Sequence, residues 1–571
     1  MGRPGLPAVA AKREGGRARF LTIAAVLAAI VVILTLVNLP PRPIVLSGAD
    51  PSLAARTVRG AVHVHTTRSD GLGDKSSIAA AAEAAGLQFV LLTDHGDGTR
   101  PLDPPAYIDG VLCLDAVEIS TDDGHYISIG AATAPYPLGG SGASVVEDVG
   151  RLGGFGIAAH PTSLRRELQW SDWEAPFDGL EWLNADSEWR DESRVQLSRS
   201  FIGYLLRPAG ALSRLLDRPS SALARWDALA KERRVLGIAG NDAHGGMGNR
   251  VEDGSSRWSV RVPSYRASFG TFSTHVQLDA PLTGDAARDA RSVLDGLKAG
   301  RFYTEIDAIA TGAVLEFKGR TDAEAVEQGT VLRGPGNASF TARVVVPSGA
   351  AVVAYRNGAS IASGESGNLE FNSSEPGTYR VEVHVPGAPG GPAVPWLVSN
   401  PIFRLVPRAE RLRPEPSGVE TLQPSWRIEK DEGSEGTVAT NQNGEAVFIY
   451  KLREGPRVSQ FVAVGTDLGP LPEFDALTFP IRSAAPRRLS VQLRFARDEH
   501  ARWGKSVYTD STGQMVTVRV DRLRRTDGPP TRPPLQRATS LLFVIDLTNA
   551  RPGDSGTLHI GDVRFVRFAA K

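Results

Sequence analysis

Between Val62 and Gly71 the chain reads VHVHTTRSDG, an apolar run that closes on two histidines and then an aspartate. In an extended strand His63 and His65 project to one face, with Val62 and Val64 on the other. The polar stretch Thr66, Thr67, Arg68, Ser69 reads as the loop leaving that strand, and Asp70 sits on it. Two imidazoles and a carboxylate at a strand end make half of a site for a cation that prefers nitrogen and oxygen. A His-Val-His on a half-buried strand also arises by accident. The weight therefore falls on the rest of the chain, where the pattern recurs.

LQFVLLT ends in Asp94-His95, VLCLDAV ends in Glu118, and HYISIGA opens with His125. FGIAA ends in His160-Pro161, GLEWLN carries Glu181 and Asn184, and VLGIAG leads into Asn241-Asp242-Ala243-His244. Asp242 and His244 repeat the spacing of the opening pair. Of ten histidines, His63, His65, His95, His125, His160 and His244 stand beside these runs, together with the carboxylates Asp70, Glu118 and Asp242. One such residue is an ordinary core or surface histidine; the full set at repeating positions is a metal centre. Between the runs, Ser76–Gly86, Val145–Leu152 and Ser213–Arg234 read as helices. Short apolar strands alternating with helices predict a parallel α/β fold, with a barrel as its closed form and the site at the strand ends. Val293–Ala308 then supplies a helix and a strand to close it.

HVHTTRSDG, TDHGD, AVEIS, GHYISIG, AAHP and GNDAHG resemble, in order, the motifs of the polymerase and histidinol phosphatase (PHP) domain. The resemblance covers residues 57–310. It implies a distorted (β/α)7 barrel with two or three divalent ions, Zn, Mn or Fe. Carried over by motif, His63, His65, Glu118 and Asp242 would hold the first ion. Glu118 would bridge to a second held by His125 and His160, and Asp70, His95 and His244 would hold a third. Asp70 stands where some members have a histidine. Asp94 is expected behind the ligands, hydrogen-bonded to one of them. Two such ions share and acidify a hydroxide and neutralise charge on the attacked group, so Glu118, Asp242 and His160 are the residues on which turnover would depend.

Arg100, Arg165, Arg166 and Arg250 follow the ligand motifs by a few residues and are candidate contacts for a substrate anion; Glu181 and Asn184 are candidate pocket residues. Trp170, Trp173, Trp182 and Trp189 either pack or form an apolar pocket wall. The favoured substrate is a small phosphate mono- or diester, and the same ions serve a carbamate or carboxylic ester equally well.

From Thr311 the pattern changes to short alternating strands with Gly, Asn and Pro turns, predicting an Ig-like sandwich over 311–405. Its PWLVSNPI closing segment, after a barrel of this type, is similar to the PHP metallohydrolase branch that includes carbaryl hydrolases, which cleave carbamate esters. A Pro- and charge-rich linker is predicted at 406–424. Residues 425–571 resemble a galactose-binding-like jelly roll, where Trp503 or Tyr508 would stack on a sugar ring; the alternative, slightly favoured, is a structural spacer whose aromatics belong to its core. A third reading follows: a non-catalytic surface protein that binds glycan, with a metal-stabilised barrel.

The amino end adds an address. FLTIAAVLAAIVVILTLVNL, residues 20–39, carries no charge and rises about 30 Å as a helix, enough to cross a bilayer. Arg3, Lys12, Arg13, Arg17 and Arg19 precede it, predicting a cytoplasmic segment 1–19 and everything beyond Pro40 outside. Ser47-Gly48-Ala49 would be the alternative, a cleavage site. Lys plus Arg and Asp plus Glu both number 64, so no overall basic field exists to draw nucleic acid. The single cysteine, Cys113, lies in an apolar run and is expected in a core. Taken together, the sequence predicts a single-pass membrane protein displaying a multinuclear metal-dependent hydrolase followed by two β-sandwich domains.

Overall fold

The structure, a computed structural model, describes residues 11–190, 192–250, 256–406, 416–495, 501–526, 533 and 535–568, with the side chains of 11–18 and 247–259 outside that description. The fold is mixed α/β with much sheet, preceded by one apolar helix, Ala11–Val37. The chain divides into two compact units. Met1–Leu92, Pro105–Leu114 and Glu181–Leu405 form the first; Thr93–Pro104, Asp115–Leu180 and Val406–Lys571 form the second.

In the first unit, the strand Thr57–Val64 lies parallel to Phe89–Leu92. The helix Lys75–Ala84 crosses between them. Asp74 caps it, accepting the Ser77 amide at 2.8 Å, so the helix begins at Lys75, one residue before the expected start. On its other side Thr57–Val64 runs antiparallel to Ser273–Gln277, which pairs antiparallel with Phe302–Glu305. Phe302–Glu305 pairs in turn with Leu397–Ser399, so a strand predicted to close a separate Ig-like domain continues the same sheet. Trp396, wholly buried, donates Nε1–H to the Ala310 carbonyl and locks that junction. A separate four-stranded sheet, Ala325–Glu327, Glu316–Arg320, Ala338–Arg343 and Asn368–Ser373, faces out of this arrangement as the remainder of the expected sandwich. Cys113 is buried in the core, as read from its apolar run.

In the second unit, Val117–Thr121, Gly124–Ile129 and Phe155–Ala158 are antiparallel neighbours, whereas Ile157 and Ala158 pair in parallel with Gly179 and Leu180. The expected all-parallel order fails here for a local reason. TDDG, Thr121–Gly124, is a tight turn with Gly124 at φ 112°, and a turn that short can join only antiparallel strands. Residues 416–568 form two sheets over one core that includes Phe448, Phe479, Leu493 and Phe543. Part of the predicted linker is structured, since Pro416–Thr421 is a strand paired with Arg564–Phe568; residues 407–415 lie outside the description.

This sandwich shares its compact unit with residues 115–180, and arginines fasten the two stretches. Arg488, its side chain fully buried, donates Nε–H to Asp148 Oδ2 at 2.7 Å and Nη2–H to Glu147 Oε2 at 2.7 Å. Arg524 reaches both oxygens of Asp123, at 2.6 and 2.7 Å, and Asp172 at 2.7 Å. Arg551 meets Asp97 at 3.2 Å. The expected sugar platforms are used up. Trp503 is part of the core, and the Arg151 guanidinium lies 3.5 Å from the centre of the Tyr508 ring.

Candidate metal centre

The first unit brings together His63, His65, Asp70, Asp242 and His244. The strand does not run straight through them. His63 has φ 67° and its pairing with Phe89–Leu92 shifts register there, so His63 and His65 do not alternate regularly as a straight strand would place them. Their rings nonetheless lie 5.1 Å apart. The segment Asn241–Ala243 runs alongside: Asn241 N–H donates to Val62 O at 2.8 Å, Ala243 N–H to His63 O at 3.1 Å, and His65 N–H to Ala243 O at 3.0 Å. Asp242 Oδ1 thereby stands 3.4 Å from Nε2 of both His63 and His65. Asp70 bridges His65 Nδ1, at 3.3 Å, and His244 Nε2, at 3.2 Å, and the rings of His65 and His244 stack at 4.3 Å. Burial opposes ionisation of Asp242, but His63, His65 and His244 hold its carboxyl well below the ordinary range. His244 is half-buried, which opposes its protonation, yet Asp70 and Asp242 push it up to about 9.

In the second unit, Glu118 gathers three imidazoles. His95 Nδ1 lies 3.2 Å from Oε2, while His125 Nδ1 at 2.9 Å and His160 Nε2 at 3.0 Å share Oε1. The backbone sets this convergence. Gly96 N–H donates to Glu118 O, Glu118 N–H to Asp94 O, and Ala159 N–H to His125 O. Asp70 and His244 share their donor cluster with His65, and His95 shares its own with Glu118 and His125.

Three candidate ligands occupy backbone that L-residues rarely adopt: His63 at φ 67°, His160 at 30° and Asp242 at 44°. Each such residue costs about 1–3 kcal/mol unless its surroundings enforce it, and strain of this kind concentrates at functional sites. Among the described residues the remaining non-glycine cases are Asp109 and Asn357; Asn, Asp and His are the types that enter this region most readily.

Several residues read as substrate contacts have other partners. Glu181 and Asn184 are buried behind the ligands: Glu181 Oε1 accepts from His63 Nδ1 at 2.7 Å, and Asn184 Nδ2 donates to Glu181 Oε2 at 2.8 Å and Asp242 Oδ2 at 3.3 Å. Arg100 is bound to Asp115 at 2.9 Å. Arg165 and Arg166 are exposed on the loop after His160. Arg250 is on the strand Met247–Arg250 and its side chain lies outside the described residues. Trp170 and Trp182 are buried in packing, and Trp189 stacks under Arg190. Asp94 is buried beside Glu118 through its backbone.

Tyr265 was not singled out by any pattern, yet its hydroxyl donates to His65 O at 2.7 Å and accepts from Gly73 N–H at 3.2 Å. Gly71 and Gly245 leave the room that its ring and hydroxyl fill, a requirement visible in sequence only as glycines beside the ligands.

No protein-family model matches the chain. No curated protein matches it. Among solved structures, it shows likeness to the family 11 carbohydrate-binding module of the cellulosomal cellulase Lic26A-Cel5E of Clostridium thermocellum, at 17% identity over 27% of this chain and 96% of that chain, TM-score 0.22. It is also similar to TmCBM27, a carbohydrate-binding module whose mannan recognition has been dissected, at 15% identity over 27% of this chain and 100% of that chain, TM-score 0.19. Likenesses this distant carry no argument about function.

Proposed function

We propose that the protein is a metal-dependent hydrolase of the PHP type, acting on a small phosphate mono- or diester. The observation that carries the reading is the orientation imposed on three histidines. A carboxylate or carbonyl oxygen can only accept, so Nδ1 of His63 must donate to Glu181, that of His160 to Leu168 O at 3.1 Å, and that of His244 to Asp242 O at 2.9 Å. Each ring is thereby held with Nε2 toward a carboxylate oxygen, Asp242 Oδ1 at 3.4 Å, Glu118 Oε1 at 3.0 Å and Asp70 Oδ2 at 3.2 Å, where a cation would displace the shared proton and take Nε2 as a ligand. Imidazole and carboxylate donors suit Zn, Mn or Fe. When bound, such ions acidify water and offset the negative charge that grows on the attacked group.

The chain's own residues supply the rest. Glu181 and Asn184 hold His63 and Asp242 in orientation, Leu168 holds His160, and Tyr265 fixes the backbone of His65. Arg165 and Arg166, exposed on the loop that follows His160, offer cations to a phosphate. A carbamate or carboxylic ester is the second reading. It is favoured by Arg100, whose charge Asp115 neutralises and which therefore adds nothing to a phosphate pocket. The apolar amino-terminal helix makes the protein a membrane-anchored enzyme with its amino end in the cytoplasm and its metal centre outside. Glycan binding by the C-terminal sandwich would need platforms other than Trp503 and Tyr508.

The test uses the full chain in detergent, stripped of metal and reloaded with Mn, Zn or Fe, against nitrophenyl phosphate, bis-nitrophenyl phosphate and a nitrophenyl carbamate. Metal-dependent phosphate turnover that disappears in His160→Ala supports the reading. Carbamate turnover alone moves the protein to the second reading, and no metal-dependent turnover of any of the three overturns both.

A further inference from the structure

A second buried donor cluster stands among residues that none of the hydrolase motifs includes. His275 on Ser273–Gln277, Glu305 at the end of Phe302–Glu305, and Asp307 just beyond it are all in the core, Glu305 with no exposed surface at all. The sheet register creates the cluster: Ser273 pairs with Glu305, and His275 is flanked by Arg59 and Tyr303. His275 Nε2 lies 3.2 Å from Glu305 Oε2, and one donor atom from each of the three residues falls within 4.8 Å of the others.

The hydrogen bonding here is incomplete. Arg59 takes Asp307 Oδ1 at 2.5 Å, but Asp307 Oδ2 and both oxygens of Glu305 have no hydrogen-bond partner. The Ala313 amide approaches Glu305 without reaching hydrogen-bond geometry. Two carboxylates against one guanidinium leave an uncompensated negative charge in the interior, which native proteins avoid. A proton on Glu305 would cancel the charge. It would still leave the second Glu305 oxygen without a donor, and the nearest hydroxyl, that of Ser273, is shared between Asp307 and His275 Nε2, which it approaches at 3.1 Å. A cation among the three residues meets all of them at once. Burial keeps His275 from taking a proton, so its ring is neutral and able to ligate.

We propose that His275, Glu305 and Asp307 bind a divalent cation of the zinc or manganese class, independently of the hydrolase centre. Ligand atoms around tetrahedral zinc, with bonds of about 2.0–2.1 Å, stand about 3.3 Å apart, close to the 3.2 Å between His275 and Glu305. Arg59 acts as the outer partner that orients the Asp307 carboxylate. With all three donors in the core, the ion is structural: it ties Ser273–Gln277 to the end of Phe302–Glu305.

The experiment counts metal in the full chain, purified in detergent, by mass spectrometry of the elements, for the parent protein, Glu305→Gln and His160→Ala. Glu305→Gln is expected to lose one equivalent and to melt lower, whereas His160→Ala keeps that equivalent. An unchanged metal count in Glu305→Gln, with equal or higher melting temperature, overturns the proposal, because a glutamine amide mimics a protonated carboxyl. If that variant does not fold, anomalous scattering at the zinc and manganese edges from the parent protein decides: a peak between His275 and Glu305 supports the site and its absence refutes it. Failure of the hydrolase assays leaves these readouts untouched.

Discussion

Glu181 Oε1 stands 2.7 Å from His63 Nδ1, and it can do so only because residue 240 is glycine: a Cβ there would lie 1.7 Å from the same oxygen. Partners that orient a ligand histidine from behind contribute about 10–100-fold to metal affinity. Glu181→Gln is therefore expected to weaken metal binding by that factor, and Gly240→Ala to do the same by displacing the carboxylate. Competition against a fluorescent chelator measures both. Affinity within twofold of the parent protein in Glu181→Gln would mean that the contact is packing and not support.

Arg488 joins the C-terminal sandwich to the helix Gly142–Arg151 through a charge with no exposed surface, paired to Asp148 and Glu147. Deleting one partner of a buried pair costs about 3–5 kcal/mol, because the other is left unpaired. Here Asp148 keeps Arg151 and the Tyr136 hydroxyl, so the lower end applies. Arg488→Ala is expected to lower the unfolding free energy by about 3 kcal/mol, read from urea denaturation. Arg524→Ala, whose side chain is 43% exposed, should cost distinctly less. If both variants match the parent protein, the sandwich is not held by these arginines.

The chemistry of the centre was legible in sequence to the extent that ligand types announce themselves. His63, His65, Glu118, Asp242 and their companions stand at the ends of apolar runs, and the structure gathers them into donor clusters. What was not legible was backbone. A straight strand would have put His63 and His65 on one face; a left-handed His63 brings them together instead, and no propensity reports a strained φ at a histidine. The TDDG turn did carry a hairpin signal, but alternation with helices pulled the reading toward parallel strands. Partner choice was hidden as well. Nothing near Arg100 in sequence shows that Asp115 claims it, and alternation left Trp503 open between a sugar platform and the core it joins, because it says which faces differ, not which one is covered.

Glu382 offers a pH readout on a carboxylate that is not among the proposed ligands. Burial opposes its ionisation, yet the hydrogen bond with His384 and the charges of Arg380 and Arg218 hold its carboxyl far below the ordinary value of 4.5. Because the folded state holds the depressed value, its stabilisation is complete above about pH 4.5 and is lost as pH falls through the folded value. Below that point stability should fall by up to about 1.4 kcal/mol per pH unit from this one group. Urea unfolding between pH 6 and pH 3 is expected to show a shallower decline in Glu382→Gln than in the parent protein. Parallel declines would assign the acid sensitivity to other carboxylates.

The helix Ala11–Val37 contains a 19-residue span, Arg19–Val37, of mean hydropathy 3.0 with none of it buried. Such a surface is not stable in water, so it is either in a bilayer or removed. The chain just beyond it argues for retention. Asn38 O accepts from Arg214 and Pro40 O from Arg207, and Ile44–Val45 pairs parallel with Ala310–Thr311, with Ile44 N–H donating to Ile309 O at 3.0 Å and Leu46 N–H to Thr311 O at 2.8 Å. Cleavage at Ser47–Ala49 would remove a segment that is built into the folded unit. The full chain is expected to sediment with membranes and resist carbonate extraction, and removal of residues 1–37 to release a soluble protein of unchanged melting temperature. Removal of residues 1–49 should lower that temperature, because two backbone hydrogen bonds and two arginine contacts go with it. A mature amino terminus at Asp50 in the native host, found by terminal sequencing, would overturn the anchor.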